Sequence, residues 1–214
     1  MTDAVLVFVR APQAGRVKTR LAAAIGAEAA LRVYVRLAEH ALAQARASGA
    51  APRVHFTPAD AREAVRAWLG PGAAYLPQAE GDLGERMRCA FEAAFAAGYG
   101  RVVIIGSDLP GLTAELLRRA FALLDAHQAV LGPARDGGYW LLGLRRPVPG
   151  VFRGIAWSTA EVFDATLARL RAEGIEPALL EVLGDVDEVA DLPPGWREWA
   201  AADEPPADAS ASPA

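Results

Sequence analysis

An α/β fold with a mostly parallel sheet is predicted by two features of this sequence. Short apolar runs alternate with helical patterns through the first two thirds of the chain, and the opening run, AVLVFV at 4–9, is apolar on both faces. A strand that is apolar on both sides belongs inside a parallel sheet, and repeated strand–helix–strand units lay helices over both faces of such a sheet. The expected architecture is a three-layer α/β/α sandwich.

The elements follow in order. After the first strand, Leu31, Tyr34, Ala38, Ala41, Leu42 and Ala45 share one helical face, and Gly49 offers a C-terminal stop. RVHFT (53–57) reads as the second strand, ADAREAVRAWLG as a helix and AAYLPQ (73–78) as the third strand. A helix from about Gly84 to Ala97 leads into RVVIIG (101–106), the clearest strand, and a helix over 114–126 follows. AVLGPA (129–134) and YWLLGL (139–144) flank the turn-forming RDGG, so this close pair adds an antiparallel element and makes the sheet mixed. Beyond residue 145 the pattern loosens to a helix near 159–173 and a strand near 178–183. One domain over 1–202 is expected, with the small, polar, Pro-rich 203–214 as a disordered tail.

Composition narrows the function. Apolar residues make up 53% and charged residues 22%, and the net charge of −4 gives no footing for nucleic acid or an anionic membrane. The single cysteine, Cys89, allows no internal disulfide and no cysteine-based zinc site. The start, MTDAVLVFVR, lacks the basic segment and long apolar run of a signal peptide, and no stretch approaches the ~20 apolar residues of a membrane span. A cytoplasmic protein is expected. The three histidines are scattered, no G-x-S-x-G elbow is present, and the tryptophans do not interleave with a basic stripe.

In an open α/β sheet, ligands bind beyond the carboxyl ends of the strands. That edge collects RAPQAGRVKTRL (10–21), QAEGDLGERM, GSDLPGLT and GPARDGGYW, with GDVDEVADL (184–192) after the last strand. In the first stretch Gly15 permits close backbone approach, and Arg10, Arg16, Lys18 and Arg20 can neutralise phosphates. It matches neither G-x-x-x-x-G-K-[ST] nor G-x-G-x-x-G, so a phosphate cradle and a solvated turn fit it equally. Asp108 ends a strongly apolar strand, where an unpaired carboxylate is costly. It either organises the turn at Pro110-Gly111 or ligates Mg²⁺ or Mn²⁺, with Asp185 or Asp187 as the second carboxylate. Asp136 suits a hairpin turn, and also an acceptor contact or base. Gly81 and Gly84 flank a helix start capped by Asp82, where a flat base or sugar can approach or where the helix simply begins.

In their order along the chain, PQAGRVKTRL, QAEGDLGERM, IIGSDLPGLT, VLGPARDGGYWLLGL, IAWST and DVDEVADL resemble a bacterial glycosyltransferase family associated with radical-SAM and arsenosugar-biosynthesis clusters. The resemblance runs from about residue 5 to 192. More broadly the chain is similar to the nucleotide-diphospho-sugar transferase superfamily, of glycosyltransferase A-type fold, which includes guanylyltransferases of molybdenum-cofactor and coenzyme F420 synthesis. The resemblance implies a single-domain, Rossmann-like fold that holds a nucleotide across the carboxyl edge of the sheet. It places Arg10, Pro12, Gly15, Lys18 and Arg20 near the nucleotide, with Gly81, Leu83 and Gly84 near its base or ribose. Asp108 and Asp187 correspond to metal ligands for Mg²⁺ or Mn²⁺. Asp136, Gly137, Gly138 and Tyr139 face the sugar or acceptor.

The chain departs from the pattern in three places. Gly106-Ser107-Asp108 stands where Asp-x-Asp is usual, Arg10 stands where lysine is usual, and the G-x-G-x-R loop of nucleotidyltransferases is absent. The expectation is metal-assisted glycosyl transfer from a nucleotide-diphosphate sugar to a small-molecule acceptor, with Asp108, Lys18 and Asp136 as catalytic residues. The alternative is nucleotidyl transfer from an NTP to a phosphorylated small molecule. A non-catalytic nucleotide-binding module comes third.

Overall fold

The structure is a computed structural model that describes residues 2–202. The tail read from composition at 203–214 lies outside the described residues. The strands are β1 (Asp3–Arg10), β2 (Ala51–Thr57), β3 (Ala74–Pro77), β4 (Arg101–Ile105), β5 (Ala129–Pro133), β6 (Tyr139–Leu144) and β7 (Ala178–Leu179). The helices are α1 (Thr19–Ile25), α2 (Ala27–Ala47), α3 (Arg62–Leu69), α4 (Leu83–Ala96), α5 (Ala114–Ala126), α6 (Val162–Ala172) and α7 (Trp196–Ala201).

The strands form one mixed sheet in the order β3-β2-β1-β4-β6-β5-β7. Only the two pairings of β6, with β4 and with β5, are antiparallel. The carboxyl ends of β1, β4 and β5 therefore share one edge with the start of β6. The strand alternation of β1 sorts its side chains into two cores. Val5, Val7 and Val9 pack under α2, α3 and α5, whereas Ala4 and Leu6 pack under α4 and α6. This is the three-layer α/β/α sandwich that the alternating pattern predicts. A third cluster joins Leu21 of α1, Val33 and Leu37 of α2, Val186 and Ala200, so the C-terminal segment folds back onto the N-terminal helices.

Two sequence-based expectations need correction. The helix placed near 159–173 begins only at Val162, because residues 155–161 form a turn in which the Thr159 hydroxyl donates to the Ala156 carbonyl at 2.9 Å. The strand placed at 178–183 is two residues long, with one further bridge between Ala134 and Leu183. Leu180 is buried between the exposed Leu179 and Val182, so this segment only skirts the edge of β5. Helices α1 and α7 have seven and six residues, too few for a period to show in the sequence.

Close packing of the hairpin depends on one glycine. A Cβ on Gly132 of β5 would lie 2.4 Å from the Trp140 indole, whose Nε1 donates to the Glu181 carbonyl at 3.0 Å. Gly132→Ala is expected to destabilise the fold by about 1–3 kcal/mol, measured by urea unfolding, because the indole has no room to retreat without breaking that bond.

His55 on β2 is 3% exposed, stacks on Phe8 with ring centroids 5.5 Å apart, and has no partner for Nε2. Burial, reinforced by the Arg53 charge, pushes its pKa down to about 4. The unfolded chain thus takes up a proton near the ordinary histidine value that the folded chain refuses. The neutral ring's full contribution is present above about pH 6.5 and is lost as pH falls through about 4, a swing of about 3 kcal/mol. Urea midpoints at pH 7 and pH 4.5 are expected to differ less in His55→Phe than in the wild type.

Candidate active site

The loop after β1 is held at both ends by buried anchors. Ala11 and Val17 are about 5% exposed, and the Ala11 amide donates to the Thr57 carbonyl at 2.8 Å. The phenol of Tyr34, on α2, accepts from the Arg10 amide at 2.7 Å and donates to the Arg10 carbonyl at 2.8 Å. Burial, together with the nearby Asp108 carboxylate, pushes that phenol up to about 12, so it stays protonated and keeps both bonds. Gly15 sits at φ 74°, and the Arg16 amide donates to the Gln13 carbonyl at 3.0 Å, closing the turn. The Arg10 guanidinium donates to the Arg16 carbonyl at 3.3 Å and braces the loop.

Lys18 then adopts a left-handed backbone, φ 47° and ψ 49°, which costs a residue with a Cβ roughly 1–2 kcal/mol. Its side chain is only 4% exposed, and its ammonium lies 2.7 Å from Asp108 Oδ2 and 3.1 Å from Asp187 Oδ1. Burial alone would lower the lysine pKa, but the two carboxylates more than offset it and leave it raised. Lys18 is therefore a fixed positive charge at neutral pH, not a base. Arg20, largely exposed, reaches Asp187 Oδ2 at 3.8 Å.

The two aspartates are themselves placed by local bonds. Ser107 Oγ donates to Asp108 Oδ1 at 3.1 Å, and the Val186 amide donates to the Asp108 carbonyl at 3.0 Å, which ties the GDVDEV segment to the end of β4. The Asp191 carboxylate accepts from the amides of Asp187 and Glu188 at 3.1 and 2.7 Å. Asp185 lies in the same segment; burial, with the nearby Asp136 and Asp187 charges, raises its pKa.

Two cavities open at this edge of the sheet. The first, about 400 Å³, is lined by Arg10, Arg16, Lys18, Tyr34 and Ser107 among others. The second, about 500 Å³, takes Leu83, Met87, Asp136, Tyr139, Trp157 and Asp185 into its wall. Arg20, Asp108 and Asp187 line both cavities. Four cationic side chains converge on the first cavity, a charge that suits a polyanion, and the shared aspartates lie at the junction with the second. Among the described residues no group of three or more His, Cys, Asp or Glu side chains is arranged to hold a metal ion. Asp108 and Asp187 thus offer two carboxylates, a donor set that suits Mg²⁺ or Mn²⁺ only when phosphate oxygens complete the shell.

The structure brings Arg10, Lys18, Arg20, Asp108 and Asp187 to the first cavity, and Leu83, Asp136, Gly138 and Tyr139 to the second. Pro12, Gly15, Gly81, Gly84 and Gly137 line neither. Two of these glycines have packing roles. A Cβ on Gly84 would lie 2.5 Å from the Trp157 indole, and one on Gly137 would lie 2.1 Å from the Ala160 carbonyl. Gly84 thus makes room for the Trp157 indole. Asp136 Oδ1 accepts from the Gly138 amide at 2.8 Å, so the turn reading and the cavity reading of Asp136 both hold. Sequence reasoning assigned no role at this edge to Tyr34, Ser107 or Trp157. Tyr34 shares its helical face with ordinary core residues, whereas the small Gly84 was the signal that a large ring packs there.

The chain matches the model of a family described as an uncharacterized protein conserved in bacteria, DUF2064, over residues 39–159. It is 38% identical over 170 residues to the 3-phospho-D-glycerate guanylyltransferase of Phenylobacterium zucineum, spanning 77% of this chain and 75% of that protein. It is 30% identical over 194 residues to the phosphoenolpyruvate guanylyltransferase of Chloroflexus aggregans, spanning 88% and 93% respectively. Among solved structures, a "putative nucleotide-diphospho-sugar transferase" from Desulfovibrio desulfuricans superposes with a TM-score of 0.85 at 39% identity, covering 88% of this chain and 84% of that one. The sheet, its paired cavities and these likenesses together make the protein a transferase that belongs to the DUF2064 family.

Proposed function

We propose that the protein is a nucleotidyltransferase that moves the nucleoside monophosphate unit of an NTP onto a phosphorylated small molecule and releases pyrophosphate. One observation carries this reading: the Lys18 ammonium between Asp108 and Asp187 lies where a cationic cavity meets a second cavity. The two guanylyltransferase relatives support it over glycosyl transfer, and make GTP the first nucleotide to test. The G-x-G-x-R loop is absent, and in this reading the cations of the loop after β1 supply the positive charge for the phosphates.

In this reading the triphosphate enters the first cavity against Arg10, Arg16, Lys18 and Arg20. An oxygen of the acceptor phosphate attacks the α-phosphorus, the α–β phosphoanhydride bond breaks, and pyrophosphate leaves with the bonding pair. Lys18, oriented by its two carboxylates before the substrate arrives, and the exposed Arg20 beside it hold the charge that builds on the leaving group. Tyr34 keeps the base of the loop fixed, so those cations need not reorganise. Asp108 and Asp187 would hold Mg²⁺ or Mn²⁺, which supplies Lewis-acid charge at the phosphates when bound.

Glycosyl transfer is the second reading, favoured by the likeness to the D. desulfuricans structure. Incubation with GTP, ATP, CTP, UTP and nucleotide-diphosphate sugars, with Mg²⁺ or Mn²⁺, separates the two. Pyrophosphate release from an NTP is the expected result, and release of a nucleoside diphosphate from a sugar donor would overturn it. Asp108→Asn and Lys18→Met are each expected to lower kcat/KM for the nucleotide by at least ~10²-fold, with a circular dichroism spectrum unchanged from the wild type.

A further inference from the structure

Lys18 is the single lysine of the chain, and its ammonium meets Asp108 at 2.7 Å. The position of Asp108 is only partly set by its immediate neighbours. It opens the turn over 109–113 that joins β4 to α5. Leu109 and Leu112 bury their side chains, and the Leu112 amide donates to the Leu109 carbonyl at 3.3 Å. The remaining backbone polar groups of such a turn need partners, because leaving one unpaired costs as much as a lost hydrogen bond.

Helix α2 supplies two of those partners. His40 Nε2 donates to the Leu112 carbonyl at 2.8 Å, and because a carbonyl only accepts, that nitrogen carries the ring proton. One helical turn further on, Gln44 Oε1 accepts from the Ala114 amide at 2.9 Å. Ala114 is the first residue of α5, and its amide is one of those that the helix itself cannot satisfy. His40 and Gln44 lie four positions apart, so both project from one face of α2. The same helix holds the other two segments of the charge cluster. Tyr34 bonds the end of β1, and Val33 and Leu37 pack with Val186, the neighbour of Asp187. The residues that carry Lys18, Asp108 and Asp187 are thus all referenced to one element.

We propose that His40, aided by Gln44, is a positioning residue for the reaction: through the turn after β4 it holds the Asp108 carboxylate against the Lys18 ammonium. Neither His40 nor Gln44 lines the two cavities, so their influence on a substrate passes through Asp108. The effect on rate rests on the nucleotidyl-transfer reading, whereas the effect on the Lys18 contact does not.

The single lysine makes the test direct. Full-length protein made with isotope-labelled lysine gives one ε-methylene NMR signal, which reads the contact with Asp108 when no substrate is present. His40→Leu removes the donor and keeps an apolar side chain. It is expected to shift and broaden that signal and to lower kcat for pyrophosphate release by at least about tenfold. KM for the nucleotide is expected to change far less, because Arg10, Arg16 and Arg20 keep their places. His40→Gln sets an amide donor where Nε2 lies and is expected to restore both readings. Gln44→Leu is expected to act in the same direction as His40→Leu and carries the test if that variant does not fold. Arg118→Ala is the control: it removes another link between the two helices, the 3.0 Å bond from Arg118 to the Ala47 carbonyl, and is expected to leave the signal and kcat unchanged. A wild type that releases pyrophosphate from no NTP would overturn the nucleotidyl-transfer reading, and the Lys18 signal would still decide the positioning role. A signal unmoved in His40→Leu and Gln44→Leu, a change matched in Arg118→Ala, or no recovery in His40→Gln would each overturn that role.

Discussion

The Lys18 ammonium lies between the carboxylates of Asp108 and Asp187, and so joins three segments that are up to 169 positions apart in sequence. A buried ammonium is tolerable only when it is paired, and a paired carboxylate loses its justification when the lysine is removed. The contact therefore couples the loop after β1, the end of β4 and the segment beyond β7. Lys18 makes both contacts from a left-handed backbone conformation. The site has its charges set before any substrate arrives, with one cation and two anions held at fixed separation.

Around that contact the sheet serves as a platform with a division of charge. Arginines gather on the side of β1, carboxylates gather by the β5–β6 hairpin, and the shared aspartates mark the boundary. The single antiparallel strand matters here. Because β6 runs against its neighbours, the RDGG turn falls at the same edge as the ends of β1 and β4, and it brings Asp136 and Tyr139 to the second cavity. A parallel strand in that position would have started at the opposite edge.

Much of this was legible in the sequence, and the reasons are physical. β1, β4 and α5 stand out because both-face burial and helical periodicity leave long, unambiguous patterns, and Asp108 stands out because a carboxylate at the end of an apolar strand needs a partner. The identity of that partner was not legible. Lys18 and Asp108 read separately as a phosphate ligand and a metal ligand, and only their meeting in space shows that each satisfies the other. Gly84 was legible as a site of close approach, but not what approaches it: the sequence says that a side chain would not fit, and the Trp157 indole is the reason. Tyr34 was hidden because a phenol that clamps a strand end has the same helical phase as the alanines and leucines beside it.

The return of the chain after β7 has a consequence for the order in which the molecule is completed. Val186 is fully buried beside Leu21 and Leu37, and Arg32 of α2 donates to the Ala200 carbonyl through Nε at 2.8 Å and through a second nitrogen. The sheet strands β1 to β6 are all made by residue 144, yet one of the two acids that hold Lys18 is not synthesised until residue 187. Between the synthesis of residue 108 and that of residue 187, a nascent chain holds Lys18 and Asp108 without the second acid. Asp187 joins them only when the segment around Val186 and Ala200 docks on α1 and α2, so the chemistry of the site comes into being late, at the seam between that segment and the first helices.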